Sequence, residues 1–187
     1  LTRVLLHDGG RWLSGLVLAV LALAVWRRSP TGPSRAERVG ALGVVLLGLM
    51  VVPSLKRASA TSCPWDLAEF GGTAHYVSHW QFGLADGGPG HCFPSGHAVA
   101  AFAFVALWFV WRPHRPRLAQ ALLGAVLVLG TLFAWAQLMR GAHFASHSAW
   151  SAWLCWVIAL AALALKPRAA LPTTHAWPTT LLPKAPT

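Results

Sequence analysis

Hydrophobic positions along the chain fall into five runs separated by polar punctuation: Trp12 to Trp26, Val39 to Leu55, Ala98 to Trp111, Leu118 to Met139 and Phe144 to Leu165. None of these runs contains Asp, Glu, Lys or Arg. Helices that cross a bilayer need this, because each charge held at mid-membrane costs kilocalories. The pattern predicts an all-α fold, a polytopic transmembrane helical bundle with five visible spans. The first and third runs are short against the ~20 residues a bilayer requires. Their polar flanks are therefore expected to be recruited, or the membrane to thin locally.

Composition agrees with this reading. The chain is 56% hydrophobic and 11% charged over 187 residues, too little polar surface to cover a water-soluble domain of this size. Trp12, Trp26, Trp108, Trp111 and Trp150 lie near the ends of runs, where an amphipathic ring suits the headgroup region.

The net charge of +10 raises nucleic acid as a partner, but the basic residues sit in short inter-helix loops and form no stripe or tail. Nucleic acid is therefore not expected. With helices alternating in direction, one side carries Arg27, Arg28, Arg35, Arg38, Arg112, Arg115, Arg117, Lys166, Arg168 and Lys184. The other carries Arg3, Arg11, Lys56, Arg57 and Arg140, so the split is ten against five. The positive-inside rule makes the first side cytoplasmic and turns the loop from Lys56 to His97 outward. The expected location is the bacterial inner membrane, with the active site facing the periplasm.

Residues 1–170 read as one transmembrane domain and 171–187 as an irregular, proline-rich tail. The segment from Leu1 lacks a basic n-region and a small-residue cleavage site, so no signal peptide is expected. One further helix upstream would place both termini inside. The long loop from Lys56 to Pro94 carries Trp65, Phe70, Tyr76, Trp80 and Phe82, which favour an ordered, interface-lying segment. Cys63 and Cys92 bracket this loop on the oxidising side, where a disulfide persists. Two free thiols, or a metal pair with His91, are the other readings. Cys155 reads as a small core residue.

Candidate chemistry comes from three places on the outer side: Lys56-Arg57 with Cys63-Pro64, the turn Pro94-Ser95-Gly96-His97, and the segment Arg140 to His147. The turn feeds an imidazole and a hydroxyl into the start of an apolar helix, where backbone N–H groups lack partners, which makes an anion site with a proton donor. Two or three cations neutralise a phosphate, one imidazole can attack phosphorus and another can protonate the leaving oxygen. A phosphorylated lipid is the anion expected at a bilayer surface. His75, His79 and His91 read as loop residues, one of them in reach of a headgroup.

In this order and spacing the chain resembles the type-2 phosphatidic acid phosphatase superfamily, whose motifs are Lys-x6-Arg-Pro, Pro-Ser-Gly-His and Ser-Arg-x5-His-x3-Asp. Lys56 and Pro64 match the first, Pro94 to His97 the second in full, and His143 the histidine of the third. The resemblance implies a six-helix bundle and a metal-free, cofactor-free phosphohistidine mechanism acting on a lipid phosphate or diphosphate. It implies that His143 is the nucleophile and His97 the acid that protonates the leaving group. Lys56, Ser95 and Gly96 would hold the phosphoryl oxygens.

The chain also departs from the family pattern. Cys63 stands for the first motif's arginine, Ala136-Gln137 for the Ser-Arg pair and His147 for the closing aspartate. Arg140, one helical turn after Gln137, and Arg57 are the expected substitutes for the missing phosphate ligands. Asp66 is the loop's candidate for the missing carboxylate. Lipid phosphotransfer at the same site, a degenerate lipid-binding protein, and a b-type cytochrome ligated by His97 with His143 or His147 are the alternative readings.

Overall fold

The computed structural model of the chain describes residues 9–27, 31–81 and 83–164. The proline-rich tail, Phe82, Arg3, Arg28, Lys166, Arg168 and Lys184 lie outside the described residues. The described residues are mostly helical: α1 Gly9–Trp26, α2 Arg35–Ala58, α3 Gly96–Phe102, α4 Ala106–Trp111, α5 Pro116–Met139 and α6 Ala145–Ala164. A single 3-10 turn, Ala103–Val105, joins α3 to α4, so the third apolar run is one helical rod, Gly96–Trp111. Two more 3-10 turns, Pro64–Asp66 and Ala68–Phe70, shape the outer loop. Among the described residues the β structure amounts to one isolated bridge, Leu67 with Ala74.

Local sequence explains the helix limits. Ser34 and Glu37 form a reciprocal capping box at the start of α2, with Ser34 N–H donating to the Glu37 carboxylate and Glu37 N–H to the Ser34 hydroxyl. Pro116 opens α5, where its missing N–H costs nothing. Gly141, at φ 64°, ends α5: its N–H reaches Leu138 O and the Ala142 N–H reaches Gln137 O. That paired closure delivers the chain at once to His143.

α2 and α5 are long and apolar enough to cross a membrane; the rod Gly96–Trp111 and the Ser14–Trp26 part of α1 are shorter apolar helices. In α2 and α5 only 22% and 28% of the apolar window is buried, the reverse of a core helix in a water-soluble protein. Leu16, Leu23, Met50, Val128, Trp135 and Leu160 instead point outward as bare apolar surface, an arrangement suited to lipid.

The α3–α4 rod runs through the middle of the bundle, and Ala98, Val99, Phe102, Phe104 and Leu107 form much of the core with Val45 and Val52 of α2 and Cys155 of α6. Close packing of the rod against α5 requires a bare backbone at Gly130, where a Cβ would stand 2.3 Å from the Phe102 ring. Arginine-rich connections gather at one end. There Arg38 donates to the carbonyls of Pro33 and Arg27, and His114 lies 3.3 Å from Glu37. Lys56, the turn at Pro94 to His97 and the start of α6 gather at the other.

Candidate functional site

The outer loop is built to bring its two ends together. Cys63 and Cys92 are joined in a disulfide. Cys92 N–H donates to Thr61 O, and Trp65 N–H to Gly141 O, 3.1 Å away, which ties the start of the loop to the α5–α6 turn. Asp86 is buried and accepts from the Ser62 N–H, the Ser62 hydroxyl and the Gly88 N–H. Burial raises its pKa, but those hydrogen bonds outweigh it and hold the carboxyl below its ordinary value.

The Pro-Ser-Gly-His turn is clamped to α6 from both sides. Ser95 N–H donates to His147 O at 3.1 Å, and the Ser151 hydroxyl, one turn further along α6, donates to Ser95 O at 2.8 Å. Because its N–H is already engaged, Ser95 contributes only its hydroxyl to any ligand. That hydroxyl is fully buried and makes no hydrogen bond among the described residues, nor does it cap the helix. Such an unmet group costs about 1–3 kcal/mol. A phosphoryl oxygen would relieve that cost.

Lys56 enters from the end of α2. Its aliphatic stem crosses Gly96, where a Cβ would come 3.3 Å from Lys56 Cδ. Its ammonium donates to the carbonyl of His91, directly before Cys92. The required bareness of Gly96 is thus a packing demand of the lysine.

Three imidazoles follow in sequence. The rings of His97 and His143 lie 6.4 Å apart, and those of His143 and His147 5.6 Å apart. His143 Nδ1 stands 3.4 Å from His147 Nδ1 and 3.5 Å from Cys92 Sγ. A disulfide sulfur has no proton to give, so the 3.1 Å approach of Cys92 Sγ to Ala142 O is packing alone. With Nδ1 facing these two neighbours, Nε2 is the nitrogen left for chemistry. Burial pulls the pKa of His143 from 6.5 to about 3, and positive charge on His147, Lys56 and His97 acts in the same direction. At neutral pH its ring is therefore uncharged.

The other expected site residues are placed as follows. Arg140 is half-buried at the end of α5, three residues before His143, and Arg57 is exposed beyond Lys56; among the described residues neither guanidinium is held by a hydrogen bond or ion pair. The expectation that Asp66 supplies a carboxylate to the histidines is corrected: its Oδ2 accepts from Cys63 N–H and caps the 3-10 turn. His147 stands at the sequence position of the motif's aspartate and is buried, as is Gln137 of α5.

Ser151 was not expected at the site, and of the three loop histidines it is His79 that packs beside it. Ser151 is legible only as the position one turn after His147. His79 stacks on Phe93 at 4.9 Å, and Phe93 in turn meets His147 edge-on at 5.2 Å. His79 and Phe93 also line a cavity of about 400 Å³ beside the site, with Trp150 and Leu154 on its bundle side.

Cys92, His143 and His147 carry ligand atoms within 4.8 Å of one another. With Cys92 in a disulfide, only the two imidazoles can serve a cation there. The centre is instead suited to phosphoryl chemistry: a neutral buried imidazole, a second imidazole beside it, an ammonium and an unsatisfied hydroxyl.

No curated protein and no solved structure matches the chain. Residues 38–170, a stretch that contains Lys56, the Pro94 to His97 turn and the His143–His147 pair, match the family model of the PAP2 superfamily, and the chain belongs to that superfamily.

Proposed function

We propose that the protein is a membrane lipid phosphatase that hydrolyses a phosphomonoester or diphosphate of a lipid through a phosphohistidine. Family membership supports phosphatase or phosphotransferase chemistry. The observation that carries the finer reading is the buried, uncharged His143 beside His97, with Lys56 and the unsatisfied Ser95 hydroxyl close by.

In the first step His143 Nε2 attacks phosphorus, a P–N bond forms and the P–O bond to the lipid breaks. His97 gives its proton to the departing oxygen. In the second, His97 takes a proton from water, the water oxygen attacks phosphorus and the P–N bond breaks, releasing inorganic phosphate. Lys56 and the Ser95 hydroxyl stabilise the charge on the phosphoryl oxygens, with the Gly96 N–H, Arg140 and Arg57 as the remaining donors at this end of the bundle.

His147 takes the aspartate's place behind the nucleophile. Once His143 carries a phosphoryl group its ring is cationic, and His147 Nδ1 accepts the hydrogen bond from His143 Nδ1–H. An acceptor imidazole orients the ring as a carboxylate does, with less electrostatic stabilisation.

The apolar outward faces of α2 and α5 support a lipid substrate met at the membrane. The loop charges favour an outward-facing site in a bacterial inner membrane. Phosphate release should be measured over phosphatidic acid, phosphatidylglycerol phosphate, an isoprenyl diphosphate and a lipid A phosphate, with and without chelator. Turnover of at least one lipid, unaffected by chelator, is expected. Metal-dependent turnover, or binding without turnover of any, contradicts this function.

A further inference from the structure

The disulfide touches the reacting centre directly. Cys92 Sγ lies 3.5 Å from Nδ1 of the nucleophilic imidazole, and that nitrogen is 3.4 Å from His147 Nδ1. All three side chains are buried, and His147 lines a narrow cavity beneath the outer loop with Thr61, Tyr76 and His79. In the oxidised protein this trio holds two nitrogen donors and a spent sulfur.

We propose that reduction of Cys63–Cys92 by a thiol turns this centre into a binding site for one zinc-like divalent cation, held by the Cys92 thiolate, His143 Nδ1 and His147 Nδ1. Two equivalents of thiol reduce the protein disulfide to the Cys63 and Cys92 thiols and leave as a disulfide. The cation then displaces the Cys92 proton to solvent and forms the metal–sulfur bond. One thiolate with two imidazoles is a donor set of the soft-to-borderline kind that selects zinc or cobalt over magnesium or calcium. The ligand atoms, within 4.8 Å of one another, need only small rotations to converge on bonds of about 2.0–2.3 Å.

The metal also silences the centre. A neutral imidazole bound through Nδ1 carries its proton on Nε2, so His143 loses the lone pair it needs to attack phosphorus. This consequence rests on the phosphohistidine reading; the metal site does not. The couple makes the activity depend on an oxidising environment, because a chain that is reduced in the presence of zinc is held inactive.

The test is cobalt(II) titration of the purified full chain, followed by thiolate-to-cobalt charge-transfer absorption, with helical circular dichroism in parallel. Oxidised protein is expected to give no such band. Thiol-reduced protein after removal of the thiol, and Cys63→Ser without any reductant, are expected to give the band at one equivalent. The band is expected to be lost in Cys63→Ser/His147→Ala and in Cys63→Ser/Cys92→Ala. Zinc is expected to abolish phosphate release by Cys63→Ser and to spare the oxidised parent. Absence of the band in both the reduced chain and Cys63→Ser, or its survival in Cys63→Ser/His147→Ala, overturns the site. A band with undiminished turnover keeps the site and overturns the silencing, and with it the assignment of His143 as nucleophile.

Discussion

His143 and His147 face each other through their Nδ1 atoms, 3.4 Å apart, one turn of chain between them and both out of solvent. This pair stands where the family places a histidine and an aspartate. In the proposed mechanism His143 would be held by a neutral acceptor that itself titrates, so its reactivity is expected to depend on His147 staying unprotonated. His147→Ala is expected to lower kcat by about 10²-fold or more, the range for loss of an acid–base partner, with little change in KM. His147→Asp is expected to retain turnover and to extend the acid limb of its pH profile, since a carboxylate stabilises the cationic ring. A steady-state pH series of the three proteins checks this.

Acid should weaken the fold through His143. Its pKa is about 3 in the folded chain against 6.5 for an ordinary histidine. Between those values the unfolded chain binds more protons, so stability falls as pH drops from 6.5 towards 3 and is unaffected by this group above 6.5. The contribution is on the order of 5 kcal/mol at full effect. Thermal unfolding in detergent across this range is expected to show a falling Tm, and a shallower fall for His143→Ala.

Gly96 is expected to matter through Lys56. In Gly96→Ala the new Cβ would lie 3.3 Å from Lys56 Cδ and push the stem off the turn. A drop of about tenfold in kcat/KM, carried mainly by KM, is the expected result for a misplaced phosphate cation, corresponding to ~1.4 kcal/mol. Kinetics of Gly96→Ala beside Lys56→Ala test it: the double variant should be no worse than Lys56→Ala alone.

Gly130→Ala should damage the bundle and not the chemistry. Its Cβ would stand 2.3 Å from the Phe102 ring between α5 and α3. Overpacking of this kind costs about 1–3 kcal/mol, read as a lowered Tm with kcat per folded molecule unchanged.

Much of this arrangement was legible in the sequence because it depends on local signals. Charge-free runs located the helices to within a few residues, and the Pro-Ser-Gly turn marked where the third run starts. The turn at Pro94 to His97 and the histidine at 143 carried the family resemblance by spacing alone. What stayed hidden depends on contacts between distant segments. Asp66 is the exception, since its carboxylate folds back on Cys63 N–H only three residues away, in a short turn opened by Pro64 that a reading of this stretch as plain loop passes over. The stacking of His79 on Phe93, 14 residues on, follows from how the loop closes over the site, and no periodicity encodes that closure. The disulfide pairing was one of three readings of Cys63 and Cys92, and only their placement at 5.1 Å between Cα atoms distinguishes it.

Closing this loop should stabilise the outer face. With the bonded cysteines 29 positions apart in the sequence, the chain-entropy account gives roughly 3–4 kcal/mol. Cys63→Ser/Cys92→Ser is expected to unfold at lower denaturant concentration by that amount, and to expose the 59–95 segment to proteolysis earlier than the helices.

The central claim is that His143 becomes covalently phosphorylated. Lipid substrate labelled in its phosphate should be mixed with the purified protein, quenched in alkali within the first turnovers, digested and mapped by mass spectrometry. A base-stable, acid-labile phosphoryl group on the peptide carrying His143, absent from His143→Ala and accumulating in His97→Ala if loss of the acid slows hydrolysis of the intermediate more than its formation, is the expected result. Full turnover by His143→Ala, or label on a different side chain, would contradict the account.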